Sequence, residues 1–331
     1  MGMSEWLPLF FLAVMGLALL AYVVLDGYDL GVGLLLPRAQ APDQDTMIHS
    51  IGPFWDANET WLVLGVGVLL VAFPKAHGMV LQALYLPVAV MLIGLILRGV
   101  AFDFRVKAPP RYKPFWNRTF FAGSLLAALA QGWMLGSYIT GFDRSALGLA
   151  FSFGIALTLP AAYVMLGAGW LIMKTEGALR DQAVRWARAA WWPMALALLA
   201  ISLATPLVSA TVWDKWFSLP QVFMLLPVPL VCVLALVAIH WVCHRPALVA
   251  AGYGWLVFAN TVLVFVLAFF GLAYSLFPEV VVGRLTVWDA AAATASLQFT
   301  FVGVALTVPV IVAYTVFMYR VFWGRARALS Y

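Results

Sequence analysis

The chain opens on Trp6-Leu7-Pro8-Leu9-Phe10-Phe11-Leu12-Ala13-Val14-Met15-Gly16-Leu17-Ala18-Leu19-Leu20-Ala21-Tyr22-Val23-Val24-Leu25-Asp26. A membrane-spanning helix needs about 20 consecutive apolar residues, and this run reaches that length before its first charge. Hydrophobic residues make up 65% of the chain, charged residues only 10%, and mean hydropathy is +0.98. A soluble domain carries roughly 25% charged residues, so the chain is an integral membrane protein. Net charge is +5, which in such a protein reports topology and gives no reason to expect nucleic acid.

Nine runs qualify as spans, at 6–26, 57–73, 79–101, 117–140, 146–173, 190–212, 219–243, 251–277 and 293–322. The linkers are too short for a soluble domain, so residues 1–331 form a single transmembrane domain. No basic residue precedes the first run, against a cleaved signal peptide. Of the 19 Lys and Arg, 14 fall on the side of Arg38, Arg105, Lys174, Arg245 and Arg327. Four, namely Lys75, Arg144, Lys215 and Arg284, fall on the other, and Arg98 lies within a helix. The positive-inside bias then predicts N-out, C-in and an odd number of helices.

Against that background four acids stand out: Asp26 and Asp29 after the first run, and Asp56 and Glu59 at the start of the second. The chain holds only 14 Asp and Glu, and carboxylates near lipid are costly, so these four point to a proton or ion path or to a docking site. Asp56 and Glu59 share a helix face at three-residue spacing. Two close carboxylates in a poorly hydrated place share a proton more readily than they ionise together. Helix-dipole capping is the plainer account of that pair. It does not serve Asp26 and Asp29, which the first run places at the negative end of their helix, where a cation or a shared proton is needed. Arg98 is the candidate cation for Asp26, Asp56 or Glu59, with Asp103 nearby; snorkelling to the headgroups is the alternative.

The remaining polar residues carry weaker signals. His49 and His77 fall in opposite loops, and His240 and His244 sit together at one helix end, so the chain is expected to ligate no haem and no metal by itself. Cys232 and Cys243 are too far apart along one helix for a disulfide. Asn260, Gln298 and Thr300 suit interhelical hydrogen bonds. Glu279 and Arg284 are a candidate ion pair, and Trp288-Asp289-Ala290 repeats Trp55-Asp56-Ala57 too briefly to make an internal repeat.

Two stretches carry a resemblance: Asp26-Gly27-Tyr28-Asp29-Leu30-Gly31-Val32-Gly33 and Pro53-Phe54-Trp55-Asp56-Ala57-Asn58-Glu59-Thr60-Trp61-Leu62. With Leu97-Arg98-Gly99-Val100-Ala101-Phe102-Asp103-Phe104-Arg105 and Leu285-Thr286-Val287-Trp288-Asp289-Ala290-Ala291, the chain resembles subunit II of cytochrome bd quinol oxidases along its whole length. The short connections look most like the cyanide-insensitive branch. Ala57 and Tyr28 replace a common Gly and Phe, and neither change touches an ionisable group.

The resemblance implies two four-helix bundles plus one peripheral helix. It implies a haem-bearing subunit I that holds the b and d haems, oxidises quinol and reduces oxygen to water, in the bacterial cytoplasmic membrane. Small single-helix accessory subunits and a structural quinone are associated with some members. In this frame Asp56 matches an acid at the cytoplasmic proton entry, and Asp26 and Asp29 match paired acids of the first helix. The expected relay runs through Asp56, with Glu59, Asp26 and Asp29 tuning it and Arg98 and Asp103 setting the charge. Trp55, Asn58 and Trp61 support the motif. A secondary transporter and a purely structural assembly subunit are the competing classes.

Overall fold

Long apolar runs with no competing polar contacts satisfy their backbone groups within helices, and in the computed structural model nearly every run does so. The structure describes residues 2–208, 210–219 and 221–326. Arg327, one of the basic residues used for orientation, lies outside them. In chain order the helices begin with α1 (Met3–Leu35), α2 (Ala41–Ile51), α3 (Trp55–Ala72), α4 (Pro74–Lys107), α5 (Lys113–Ile139), α6 (Ala146–Lys174) and α7 (Gly177–Val208). There follow α8 (Ala210–Phe217), α9 (Gln221–Leu225), α10 (Pro227–Cys243), the turn α11 (Pro246–Leu248), α12 (Trp255–Leu276), the short α13 (Val287–Ala290) and α14 (Thr294–Val321). Among the described residues nine helices are long and apolar enough to cross a membrane, matching the nine runs in order.

The helices form two groups. Helices α1, α3, α4 and α5 pack together, as do α6, α7, α10 and α12, and the groups meet where α6 lies against α1 and α5. Helix α14 leans mainly on α1 and α3, touches Trp170 of α6 through Tyr319, and exposes most of its surface. Two four-helix bundles plus one peripheral helix therefore describe the architecture.

Close crossings explain how polar groups on different helices come within reach. Where α4 meets α5, a methyl group on Gly94 would stand 2.7 Å from the Gly123 carbonyl, so only glycine lets the backbones approach. Gly31 of α1 and Gly167 of α6 meet in the same way, backbone against backbone. In lipid, where apolar side chains gain nothing by leaving water, such small-residue contacts are a main source of helix association.

Several boundaries differ from the sequence reading. Helix α1 does not stop at Asp26 but continues to Leu35, because Leu30, Val32, Leu34 and Leu35 keep the same buried character. Helix α7 begins at Gly177, so its charged first turns around Arg180 and Arg185 extend the span. A helix absent from the sequence reading, α2, lies between the first two spans. Pro42 starts it, and Met47, Ile48 and Ile51 bury its inner face.

Before α13, strand β1 (Glu279–Val281) pairs antiparallel with β2 (Leu285–Thr286). In that hairpin the Glu279 carboxylate accepts from the Gly283 N–H at 2.7 Å, and it forms no ion pair with Arg284. Cys232 and Cys243 are both free and buried. Asn260 and Thr300 bond backward to carbonyls of their own helices, and Gln298 alone of that trio reaches another helix, at Met3.

Candidate functional site

The first bundle encloses a set of ionisable groups drawn from α1, α3 and α4. Asp26 and Asp29 project from one face of α1, three residues apart, and both are fully buried. With nine residues of helix beyond it, Asp26 lies about 13 Å from the end of α1, so the two acids are internal to the helix. This corrects the expectation that they close it. The helix dipole is not their difficulty; desolvation is.

Arg98 answers that difficulty. It sits on α4 nine residues before Lys107, and its side chain is 1% exposed, which excludes snorkelling. Its Nη2 lies 2.5 Å from Asp26 Oδ1, a close ionic contact that is not aligned as a hydrogen bond. The same Nη2 donates to Glu59 Oε1. Arg98 thus pairs with two of its three candidate partners and not with Asp56. One guanidinium pairs with two carboxylates, and a third, Asp29, is buried one turn along α1 from Asp26.

Helix α3 supplies the outer part of the site. Glu59 is 28% exposed, and Asp56, one turn earlier, is exposed on the surface of the chain. The two share a face, as their spacing predicts, but only Glu59 enters the cluster. Asn58 points the other way, into the core. Its Nδ2 donates to Asp29 Oδ2 at 2.8 Å and to the Tyr28 hydroxyl at 2.9 Å, with Leu25 O at 3.2 Å. Trp55 packs on Phe102 at 4.9 Å between centroids, and Trp61 is buried against α1. Asp103 is exposed and makes no ion pair among the described residues, so it is not a charge partner of this cluster.

Four tyrosines and a glutamine complete the site, and the sequence reading missed them all. Tyr22 lies one turn before Asp26 on α1 and is buried beside it. Gln131 of α5 donates to the Tyr22 hydroxyl at 2.8 Å and accepts from Tyr163 of α6 at 2.5 Å. Tyr28 stacks on Trp170 at 4.1 Å between centroids, and its hydroxyl meets that of Tyr319 on α14 at 2.6 Å. The available signal is spacing: Tyr22 lies one turn before Asp26, and Tyr28 lies between Asp26 and Asp29 on the same helix. Gln131 and Tyr319 carry no local signal, since only the packing of distant helices brings them here.

A second polar knot holds α2 against α4 and α5. Asp45 lies 2.8 Å from Arg105 and accepts from Lys113 at 3.0 and 3.1 Å. Asn117 accepts from Arg105 and donates to Gln44 at 2.6 Å. Partial burial pushes the Asp45 carboxyl up, but hydrogen bonds from Lys113 and Arg105 outweigh it and hold the carboxyl below its ordinary range.

The histidines do not suit an intramembrane haem. His240 and His244 stack on each other at 4.0 Å at the end of α10, His49 belongs to α2, and His77 opens α4. Among the described residues no group of three or more His, Cys, Asp or Glu is placed to hold a metal ion.

A sequence profile described as cytochrome bd terminal oxidase subunit II matches residues 7–322. The chain belongs to that family. It is a multi-pass membrane protein by its helices, with nine among the described residues long and apolar enough to cross a membrane. It is 27% identical over 324 residues to "Cytochrome bd ubiquinol oxidase subunit 2" of Bacillus subtilis, covering 92% of each chain. It is 31% identical over 182 residues to "Probable cytochrome oxidase subunit 2" of Haemophilus influenzae, a match spanning 50% of this chain and 48% of that protein. The bd-family chain therefore spans about half the length of the second relative and nearly all of the first. In fold it is similar to a chain of the bd oxidase from Geobacillus thermodenitrificans, with a TM-score of 0.79 over 96% of this chain and 99% of that one, at 18% identity.

Proposed function

We propose that this chain is the haem-free subunit of a quinol-oxidising, oxygen-reducing oxidase, and that its buried acids take up protons for the reaction. The observation that carries this reading is the charge balance in the first bundle: Arg98 pairs with Asp26 and Glu59, and buried Asp29 lies one turn along α1 from Asp26. Three carboxylates in one cluster with a single cation make a place where protons are held and exchanged. Asp56, exposed and one turn from Glu59, gives that place an outer end. The sequence of groups from the surface inward is Asp56, Glu59, Arg98 with Asp26, and Asp29.

The rest of the reading draws on the relatives and on charge. The Bacillus subtilis relative is named for ubiquinol, which supports quinol as the electron donor. The b and d haems and the quinol-oxidising site belong to the first subunit in this reading, as the scattered histidines here favour. The lopsided distribution of Lys and Arg favours N-out, C-in in the bacterial cytoplasmic membrane, with Asp56 at the cytoplasmic face. Protons drawn from that side for water formation add to the membrane potential.

Asp56→Asn tests the reading. The purified complex should keep its haem content and lose about tenfold or more of its oxygen-reduction rate, the scale of a removed proton-transfer group. Loss of haem through failed assembly would make Asp56 a structural group and remove it from the path.

A further inference from the structure

Helix α14 sits outside both bundles, yet one of its side chains reaches the acid cluster. Tyr319 turns inward near the end of that helix. Its ring stacks on Phe54 at 4.6 Å, and its hydroxyl lies 3.2 Å from Asn58 Oδ1 and 2.6 Å from the Tyr28 hydroxyl. Asn58 in turn donates to Tyr28 at 2.9 Å and to Asp29 Oδ2 at 2.8 Å.

The donors and acceptors of these groups close into a ring. A tyrosine hydroxyl has one hydrogen, and an asparagine amide has two on nitrogen and none on oxygen. If Tyr319 donates to Asn58 Oδ1, its oxygen is free to accept from Tyr28. Tyr28, having given its hydrogen to Tyr319, accepts from Asn58 Nδ2. The ring is complete with one amide hydrogen left over, and that hydrogen faces Asp29 and the Leu25 carbonyl. In the opposite amide orientation the oxygen would point at the Asp29 carboxylate, which has no hydrogen to give when ionised. Cooperative hydrogen bonding around a closed ring resists that flip.

We propose that Tyr319 is a positioning residue for Asp29: through the Tyr319–Asn58–Tyr28 ring, the peripheral helix fixes which amide edge the buried carboxyl meets. The proposal rests on the reading that the acid cluster handles protons. It also gives α14 a role beyond lipid contact. Removing the hydroxyl takes away both ring bonds that Tyr319 makes, to Tyr28 and to Asn58 Oδ1, and frees Asn58 to turn without touching an acid.

The test uses the whole purified complex with Tyr319→Phe, with Asp29→Asn as reference and Tyr314→Phe, an exposed tyrosine of the same helix, as control. Two quantities are read: the pH profile of oxygen reduction, and the carboxyl stretching band in infrared difference spectra that Asp29→Asn removes. Tyr319→Phe should keep its haem content and move that band. It should displace one limb of the profile by about half a pH unit or more, the scale of one lost neutral hydrogen bond. Tyr314→Phe should do neither.

An unmoved band with an unshifted profile in Tyr319→Phe, where Asp29→Asn alters both, overturns the positioning role and leaves the acid cluster standing. An unaltered profile in Asp29→Asn overturns the proton-handling reading and the proposal with it. If Tyr319→Phe fails to assemble, Tyr28→Phe opens the same ring from the other side and is read by the same two criteria.

Discussion

Arg98 is the residue whose loss the first bundle tolerates least. It carries a full charge with a side chain 1% exposed, and Asp26 and Glu59 close on it from two other helices. Removing one member of a buried ion pair leaves the others desolvated and uncompensated, at a cost of about 3–5 kcal/mol. Arg98→Met should therefore reduce the yield of assembled complex and its thermal stability far more than Asp103→Asn, whose carboxylate is exposed. Equal yields and melting temperatures for the two variants would contradict this account of the cluster. At this scale the sequence announced the acids and the arginine through their cost in an apolar run. Asp56 and Asp103 were credited with partners they lack, because helix position alone does not tell which side of α3 or α4 faces inward. Gln131 and Tyr319 gave no warning, since only the packing of distant helices brings them to the acids.

At the scale of elements, α2 is a clamp rather than a linker. Its inner face is apolar, and Asp45 ties it to Arg105 and Lys113. The Asp45 carboxyl is held below its ordinary range, so it binds protons less readily folded than unfolded. Its contribution is present above the ordinary carboxylate value near pH 4 and fades as pH falls through the lower folded value. With the side chain 38% exposed, solvent screening keeps that contribution under about 1 kcal/mol. Hydrogen exchange in residues 41–51 should accelerate beyond the chemical rate change as pH falls below about 4, and Asp45→Asn should abolish that excess. An excess that persists in Asp45→Asn would assign the clamp to other groups.

The crossing of α4 and α5 is a second element-scale case. Gly94→Val would place branched carbon against the Gly123 carbonyl, so it should lower complex stability, whereas Gly67→Val, where a methyl group meets nothing within 4 Å, should not. Matching melting temperatures for these two would show that the close approach is dispensable. The spans themselves were legible because twenty apolar residues have few alternatives to a membrane helix. Helix α2 was not, because a short amphipathic helix beside a proline looks like any polar connection. The signal that would have found it is Pro42 followed by Met47, Ile48 and Ile51 on one face.

For the whole molecule, two bundles side by side with α14 outside them make a scaffold in which the first bundle holds the buried acids, while the second buries Lys174 and a few Ser and Thr among apolar side chains. The order of the nine spans could be read from the sequence. Their grouping could not, since it depends on which helices present glycine and alanine to one another. The proposed orientation has its own test. Single cysteines placed at Ser4 and at Gln182 should be labelled by a membrane-impermeant maleimide from the periplasmic and the cytoplasmic side respectively, and the reverse pattern would put the acids on the wrong side for the proposed uptake.

The central claim is that protons reach the oxidase through the Asp26, Asp29, Glu59 and Arg98 cluster. It is tested most directly by timing proton uptake from the medium, with a pH-sensitive dye, as the fully reduced complex meets oxygen. Glu59→Gln keeps a hydrogen-bond acceptor for Arg98 while removing a carrier of protons. The account predicts normal haem content with uptake and the matching haem reoxidation phase slowed together, about tenfold or more. Uptake at the unmodified rate in a complex with normal haem content would contradict it.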